Sequence, residues 1–163
     1  MESAITPEYL RKLLAERGGA LTLMASQWTD SPEDCLQEAL IELARKPAAP
    51  RNPVAWLFDV VRKRAIDMHR ASQRRRKHEA AAGAASPGWF LPKETQEFDG
   101  QTLAAALREL AVEHREVIVA RIWGGLSFDQ IGLLVGASTS AAHRRYEAGL
   151  RHLRERLCEQ SRP

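Results

Sequence analysis

A chain of 163 residues, 44% hydrophobic and 28% charged, is long enough for one compact domain or two small ones, each near the lower limit for a core of its own. Its formal net charge is only +3, but the isoelectric point is 9.1 and the cations are clustered, which suits a polyanionic partner better than a small neutral ligand. Two cysteines far apart, Cys35 and Cys158, signal neither a disulfide framework nor a zinc site, and no stretch nears the roughly 18 apolar residues of a membrane span. The expectation is a soluble protein of a reducing cytoplasm, with no membrane and no small-molecule substrate among its partners.

In chain order, the periodicity is helical nearly everywhere and alternating runs bounded by hairpin turns are missing, which predicts an all-α protein. A first helix is expected over residues 7–16 and a second over 20–28, separated by Gly18-Gly19. Ser31, Pro32 and Asp34 have the spacing of an N-cap, a first helical position and a capping box, and open a helix to about Arg45. Pro47 and Pro50 make the next segment a loop. Asn52-Pro53 repeats the cap-plus-proline signal and starts a long helix to about Arg76.

Between Arg62 and His78 stand eight Lys or Arg against one acid, Asp67, whereas residues 79–100 hold four acids, Glu79, Glu94, Glu97 and Asp99, against Lys93. That second stretch has three Gly, two Pro and no sustained apolar face, so it reads as a linker between two small helical domains, 1–78 and 101–163. Helical pattern resumes at Gln101 with Leu103, Leu107 and Leu110, then Val117, Ile118 and Ile122, and stops at Gly124-Gly125. Ser127 with Gln130 forms a further capping box for a short helix, 128–135. Gly136 is placed for its left-handed end, and Ser138 caps the last helix.

At about 100° per residue, Thr139, Ala142, Tyr146, Leu150, Leu153 and Leu157 share the core side of that last helix. Ser140, Ala141, Arg144, Ala148 and Arg151 share the opposite side, where small residues permit close approach and guanidinium groups can pair bidentately with guanine or phosphate. A short helix, a turn with glycine and this second helix have the spacing of a helix-turn-helix that can enter a major groove. A plain helical hairpin with a solvated basic face is the competing reading of the same pattern.

On the helix from Pro53, Val54, Leu57, Phe58, Val61, Ala65 and Met68 form the buried side, and Trp56, Asp59, Lys63 and Arg70 lie away from it. An aromatic ring beside a basic stripe suits single-stranded nucleic acid, although Trp56 packed on a neighbouring helix would give the same pattern. Asp34, Gln37, Glu38 and Glu42 form a polar to acidic face opposite Leu36, Leu40 and Leu43, suited to a protein contact or simply solvated. The histidines, His69, His78, His114, His143 and His152, match no metal-binding or catalytic spacing, so no catalytic residue, metal or cofactor is assigned.

Taken in order, SPEDCLQEALIELAR, NPVAWLFDVVRKRAID, an arginine-rich end, a linker and LRELAVEHREVIVARIWGGLSFDQIGLLVGASTSAAHRRYEAGLRHLRERL resemble the bacterial RNA polymerase sigma factors of the extracytoplasmic-function (ECF) group. The resemblance covers residues 5–78 as region 2 and 101–158 as region 4, and no appended regulatory domain is expected after them. It implies a non-enzymatic, two-domain, all-helical subunit of core RNA polymerase that recognises promoter DNA, with an anti-sigma factor as a further candidate partner. By the same resemblance, Asp34, Gln37 and Glu38 would dock on core polymerase. Arg51, Asn52, Trp56, Lys63 and Arg70 would meet the minus-10 element. Ser138, Thr139, Ser140, Ala141, His143, Arg144, Arg145 and Arg151 would serve the minus-35 element. A stand-alone helix-turn-helix regulator, which would dimerise on a palindromic site, is the alternative; a nucleic-acid-processing enzyme, a third reading, lacks the paired carboxylates beside a metal-ligand pattern that it would need.

Overall fold

The computed structural model describes residues 5–79 and 100–160, and every regular element among them is helical. The chain divides into two compact units, Met1–Phe90 and Leu91–Pro163, each with a core of its own. The linker expected over residues 79–100 lies almost wholly outside the described residues.

The first unit packs three helices pairwise: α1 (Pro7–Ala25), α2 (Pro32–Ala44) and α3 (Pro53–His78). Leu21, Leu23 and Met24 from α1, Cys35, Ala39 and Leu43 from α2, and Leu57, Phe58, Val61 and Ala65 from α3 are at most 1% exposed. Val54 and Met68, expected on the buried side of α3, are half-buried at its rim.

Where the sequence predicts two helices separated by Gly18-Gly19, α1 runs unbroken. Two glycines in a helix cost roughly 1 kcal/mol each. Burying Leu21, Leu23 and Met24 on the far side of them returns about 1.5–3 kcal/mol per side chain, so tertiary packing outweighs local propensity. Thr22 Oγ1 donates to the Gly18 carbonyl at 2.8 Å, adding a bond across the glycine pair.

The caps also divide. Thr6 and Asn52 accept from the N–H groups of Tyr9 and Ala55, both at 3.1 Å. Ser31 makes no side-chain cap bond, against the capping box that its spacing suggests; its own N–H donates to Thr29 Oγ1 at 3.2 Å, a tie that belongs to the incoming turn.

The second unit contains α4 (Gly100–Glu109), α5 (Val112–Ile118), a π-helical segment Val119–Trp123, α6 (Phe128–Val135) and α7 (Thr139–Gln160). Leu107, Val117, Ile118, Val119, Ala120, Ile131 and Ala142 are fully buried. The π segment widens the coil, and the Gly124 N–H reaches back to the Val119 carbonyl at 3.0 Å. The wider turn shifts the direction in which its later side chains point. Ile122, which the 3.6-residue period assigns to the core, is 49% exposed.

Candidate nucleic-acid and polymerase interface

The helix-turn-helix is built by local devices. Ser127 Oγ accepts from the Gln130 N–H at 3.2 Å while Gln130 Oε1 accepts from the Ser127 N–H at 2.9 Å, closing the capping box that opens α6. Gly136 ends α6 at φ 70° and ψ 39°, a left-handed conformation that costs a residue with a Cβ about 1 kcal/mol or more. Gly132 meets the turn at such close quarters that a Cβ there would come within 2.7 Å of the Ala137 carbonyl oxygen. Ser138 Oγ then accepts from the Ala141 N–H at 3.0 Å and starts α7.

These devices present one face of α7 outward. Ser138, Ser140, Arg144 and Arg151 are exposed, and Ala141, Arg145 and Ala148 are half-buried beside them. The opposite side is core through Ala142 and Leu153, with Tyr146, Leu150 and Leu157 half-buried. Thr139 departs from its expected core position. It is exposed, and its hydroxyl donates to Asp129 Oδ1 at 2.6 Å, so it ties α7 to α6 across the turn.

His143 is held on two sides, with Phe128 edge-on at 4.8 Å between ring centroids and Glu147 at 3.7 Å from Nδ1. Phe128 also takes Tyr146 edge-on at 5.4 Å and the Arg121 guanidinium over its face at 4.7 Å. Arg121 donates in addition to the Leu126 carbonyl at 2.9 Å. Arg151, Arg154 and Arg121 line one groove beside these rings. Arg154 belongs to the same cationic surface, and its i+3 spacing from Arg151 is the signal that could have added it.

Among the described residues, Arg144, Arg145, Arg151 and Arg154 form no ion pair. The basic stripe of α3 is different. Lys63 Nζ lies 2.7 Å from Asp59, and Arg70 lies 3.8 Å from Asp67, both within one helical turn. Trp56 is half-buried, and the Lys46 ammonium stands 4.8 Å above its ring, a cation–π contact contributed by the preceding loop. Arg51 and Asn52 are exposed on that loop, and Asn52 Oδ1 is engaged in capping α3. The structure thus gathers Arg51, Asn52, Trp56, Lys63 and Arg70 on one loop-and-helix element and adds Lys46.

Asp34, Gln37 and Glu38 are exposed on α2 and line a groove with Arg64, Asp67, Met68 and Ala71 of α3. Beneath it Cys35 is buried, its thiol 3.3 Å from the Met68 sulfur. Burial, reinforced by the Glu38 and Asp34 carboxylates, pushes that thiol up to about 11 from its ordinary 9.0. No helix among the described residues is long and apolar enough to cross a membrane.

Comparison with known proteins agrees with this architecture. Residues 106–155 match the family "Sigma-70, region 4". The ECF RNA polymerase sigma factor SigL of Mycobacterium tuberculosis is 30% identical over 158 residues, covering 92% of this chain and 89% of that protein. The RNA polymerase sigma factor CarQ of Myxococcus xanthus is 30% identical over 132 residues, covering 78% of this chain and 75% of its own length. Among solved structures, the sigma factor RpoE of Bartonella quintana, in complex with the anti-sigma factor NepR, superposes with a TM-score of 0.74 at 22% identity, covering 96% of this chain and 100% of that one. CnrH, in complex with the cytosolic domain of CnrY, gives 0.61 at 21% identity, covering 96% and 92%; both likenesses concern the fold. Identity sustained through both helical units, and not the helix-turn-helix alone, sets aside the stand-alone regulator: the chain belongs to the ECF RNA polymerase sigma factors, which direct promoter recognition and transcription initiation.

Proposed function

We propose that this sigma factor divides its work among three surfaces, and that it acts by binding, with no catalytic residue and no cofactor. The outward row of α7, Ser138, Thr139, Ser140, Ala141, His143, Arg144, Arg145 and Arg151, serves the minus-35 element. The supporting observation is that its arginines stand exposed or half-buried without a carboxylate partner among the described residues, on a helix aimed by the left-handed Gly136. Such a row can place guanidinium groups against base edges at its N-terminal end and against phosphates further along.

Arg51, Asn52, Trp56, Lys63 and Arg70 serve the minus-10 element. A ring half-open to solvent, next to cations, offers a stacking platform for an unpaired base and neutralises the backbone of the opened strand. Asp34, Gln37 and Glu38, on a different helix and of opposite character, serve core polymerase. The domain division 1–78, linker 79–100 and 101–163 belongs to the same reading, as does action in the compartment of the polymerase. An anti-sigma factor completes the partner set, in keeping with the complex in which RpoE was solved.

In vitro transcription with bacterial core polymerase, on a fragment from upstream of the protein's own gene, tests the assignment. Wild type is expected to give a defined start. Loss of that start in Trp56→Ala and Arg144→Ala, with core binding retained, supports the division of labour; unchanged promoter use in both variants would refute it.

A further inference from the structure

Arg64 is a basic side chain of α3 held between two carboxylates of another helix. It rises from a stretch anchored by the buried Val61 and Ala65 and crosses to α2, with Nη1 2.6 Å from Glu38 Oε2 and Nη2 2.8 Å from Glu42 Oε2. Glu38 and Glu42 are one helical turn apart, where like charges repel. A guanidinium spreads its donors in a rigid planar fork and holds both at fixed positions, whereas a lysine ammonium, a compact charge on a flexible stem, would fix their geometry less tightly. The clamp leaves Glu38 Oε1 without a partner among the described residues, at the edge of the groove shared with Asp34 and Gln37.

We propose that Arg64 is a positioning residue for polymerase docking: by fixing the Glu38 carboxylate on α2, it presets the acceptor that a donor group of core polymerase meets. This rests on the assignment of Asp34, Gln37 and Glu38 to core binding and deepens it. Two effects of Arg64 oppose each other, and their opposite signs make the role testable. Its positive charge subtracts from an acidic surface, so if bulk attraction governed docking, removing it would tighten the complex. Its fork orders a flexible side chain before docking, so if orientation governs, removing it returns that ordering cost to the binding step and speeds dissociation. The groove is solvent-accessible, where bulk attraction is screened within about 10 Å and geometry survives, so orientation wins.

The experiment measures binding of the full chain to core RNA polymerase for wild type, Arg64→Met, Glu38→Gln and the double variant, with helicity checked for each. Arg64→Met is expected to weaken binding about three- to tenfold, mainly by faster dissociation, and to add nothing in the Glu38→Gln background, which a merely structural role would not produce. Arg64→Lys keeps the charge and the aliphatic stem, and serves if Arg64→Met does not fold; it is expected to lose at least twofold, again only where Glu38 is present. Glu38→Gln weakened while Arg64→Met and Arg64→Lys bind as wild type or tighter would overturn the positioning role alone. So would a loss that adds fully to that of Glu38→Gln. Glu38→Gln binding as wild type would overturn the assignment of the α2 surface and the positioning role with it.

Discussion

Arg144 lies two turns nearer the N-terminus of α7 than Arg151, a separation of about 10 Å along the axis, and that difference predicts different phenotypes for two exposed arginines. Residues early in a recognition helix reach base edges, and those further along meet the backbone. Arg144→Ala is expected to cost about 1–3 kcal/mol at one minus-35 position and to relax preference there. Arg151→Ala is expected to weaken all sequences alike, so competition among single-base promoter variants separates the two. Cys35 supplies a prediction in the other unit. Its thiol pKa is raised by burial, so the unfolded chain loses its proton first; the stability associated with the neutral thiol is complete below pH 9 and is lost as pH rises toward about 11. At pH 8 an alkylating reagent should modify only the exposed Cys158 in the native protein and both thiols in denaturant, as read by intact mass.

At the scale of elements, the turn between α6 and α7 depends on two glycines for different reasons. Gly136 has open space around its missing Cβ but a positive φ, so Gly136→Ala should cost roughly 1 kcal/mol and leave the helix pair in place. A Cβ on Gly132 would sit 2.7 Å from the Ala137 carbonyl oxygen and 3.3 Å from the Ser138 backbone, and backbone cannot step aside as a flexible side chain can. Gly132→Ala should therefore move α7 and reduce minus-35 binding more than Gly136→Ala does, which melting curves and DNA titrations on the same pair would show. These elements also mark what a sequence makes legible. The caps at Asn52, Ser127 with Gln130, and Ser138, and the left-handed stop at Gly136, are short-range bonds whose partners lie within a few residues, so spacing alone reveals them. Continuity of α1 through Gly18-Gly19 depends on what Leu21, Leu23 and Met24 pack against, which local propensity does not contain. The π segment escapes for a related reason: its period is not 3.6, so a regular helical wheel puts Ile122 on the wrong face. Thr139 shares a side with core residues by angle, but it stands in the first turn beyond the end of the core and has Asp129 to bond. The clamp of Arg64 is hidden by distance along the chain, 26 residues from Glu38.

For the molecule as a whole, two units with separate cores should survive separation. Fragments 1–79 and 100–163 are each expected to be helical and to melt cooperatively by circular dichroism, though neither alone should support a promoter-specific start. The ECF resemblance is legible because ordered motifs, each of modest strength, run through both halves of the chain, and the identity to SigL spans both. The state of the basic groups is less accessible: Asp59 and Asp67 lie i−4 and i−3 from Lys63 and Arg70, a spacing that could have shown their charges to be partly offset. Removing Arg151, unpaired and read as a phosphate contact, should lower the salt dependence of promoter binding by nearly a full phosphate contact, and removing Lys63 or Arg70 by less, measured as the slope of log affinity against log salt concentration.

That imbalance has a temporal consequence. A cation with no local anion pulls on a duplex from a Debye length away, whereas one already neutralised must first trade its carboxylate for a phosphate at contact range. Long-range capture would thus fall to the unpaired α7 arginines, together with Arg51 and the run Arg74, Arg75, Arg76 and Lys77, which is exposed and without an ion pair among the described residues. Lys63 and Arg70 would join only at contact range, where the exchange of ionic partners succeeds if a separated strand is there to receive them.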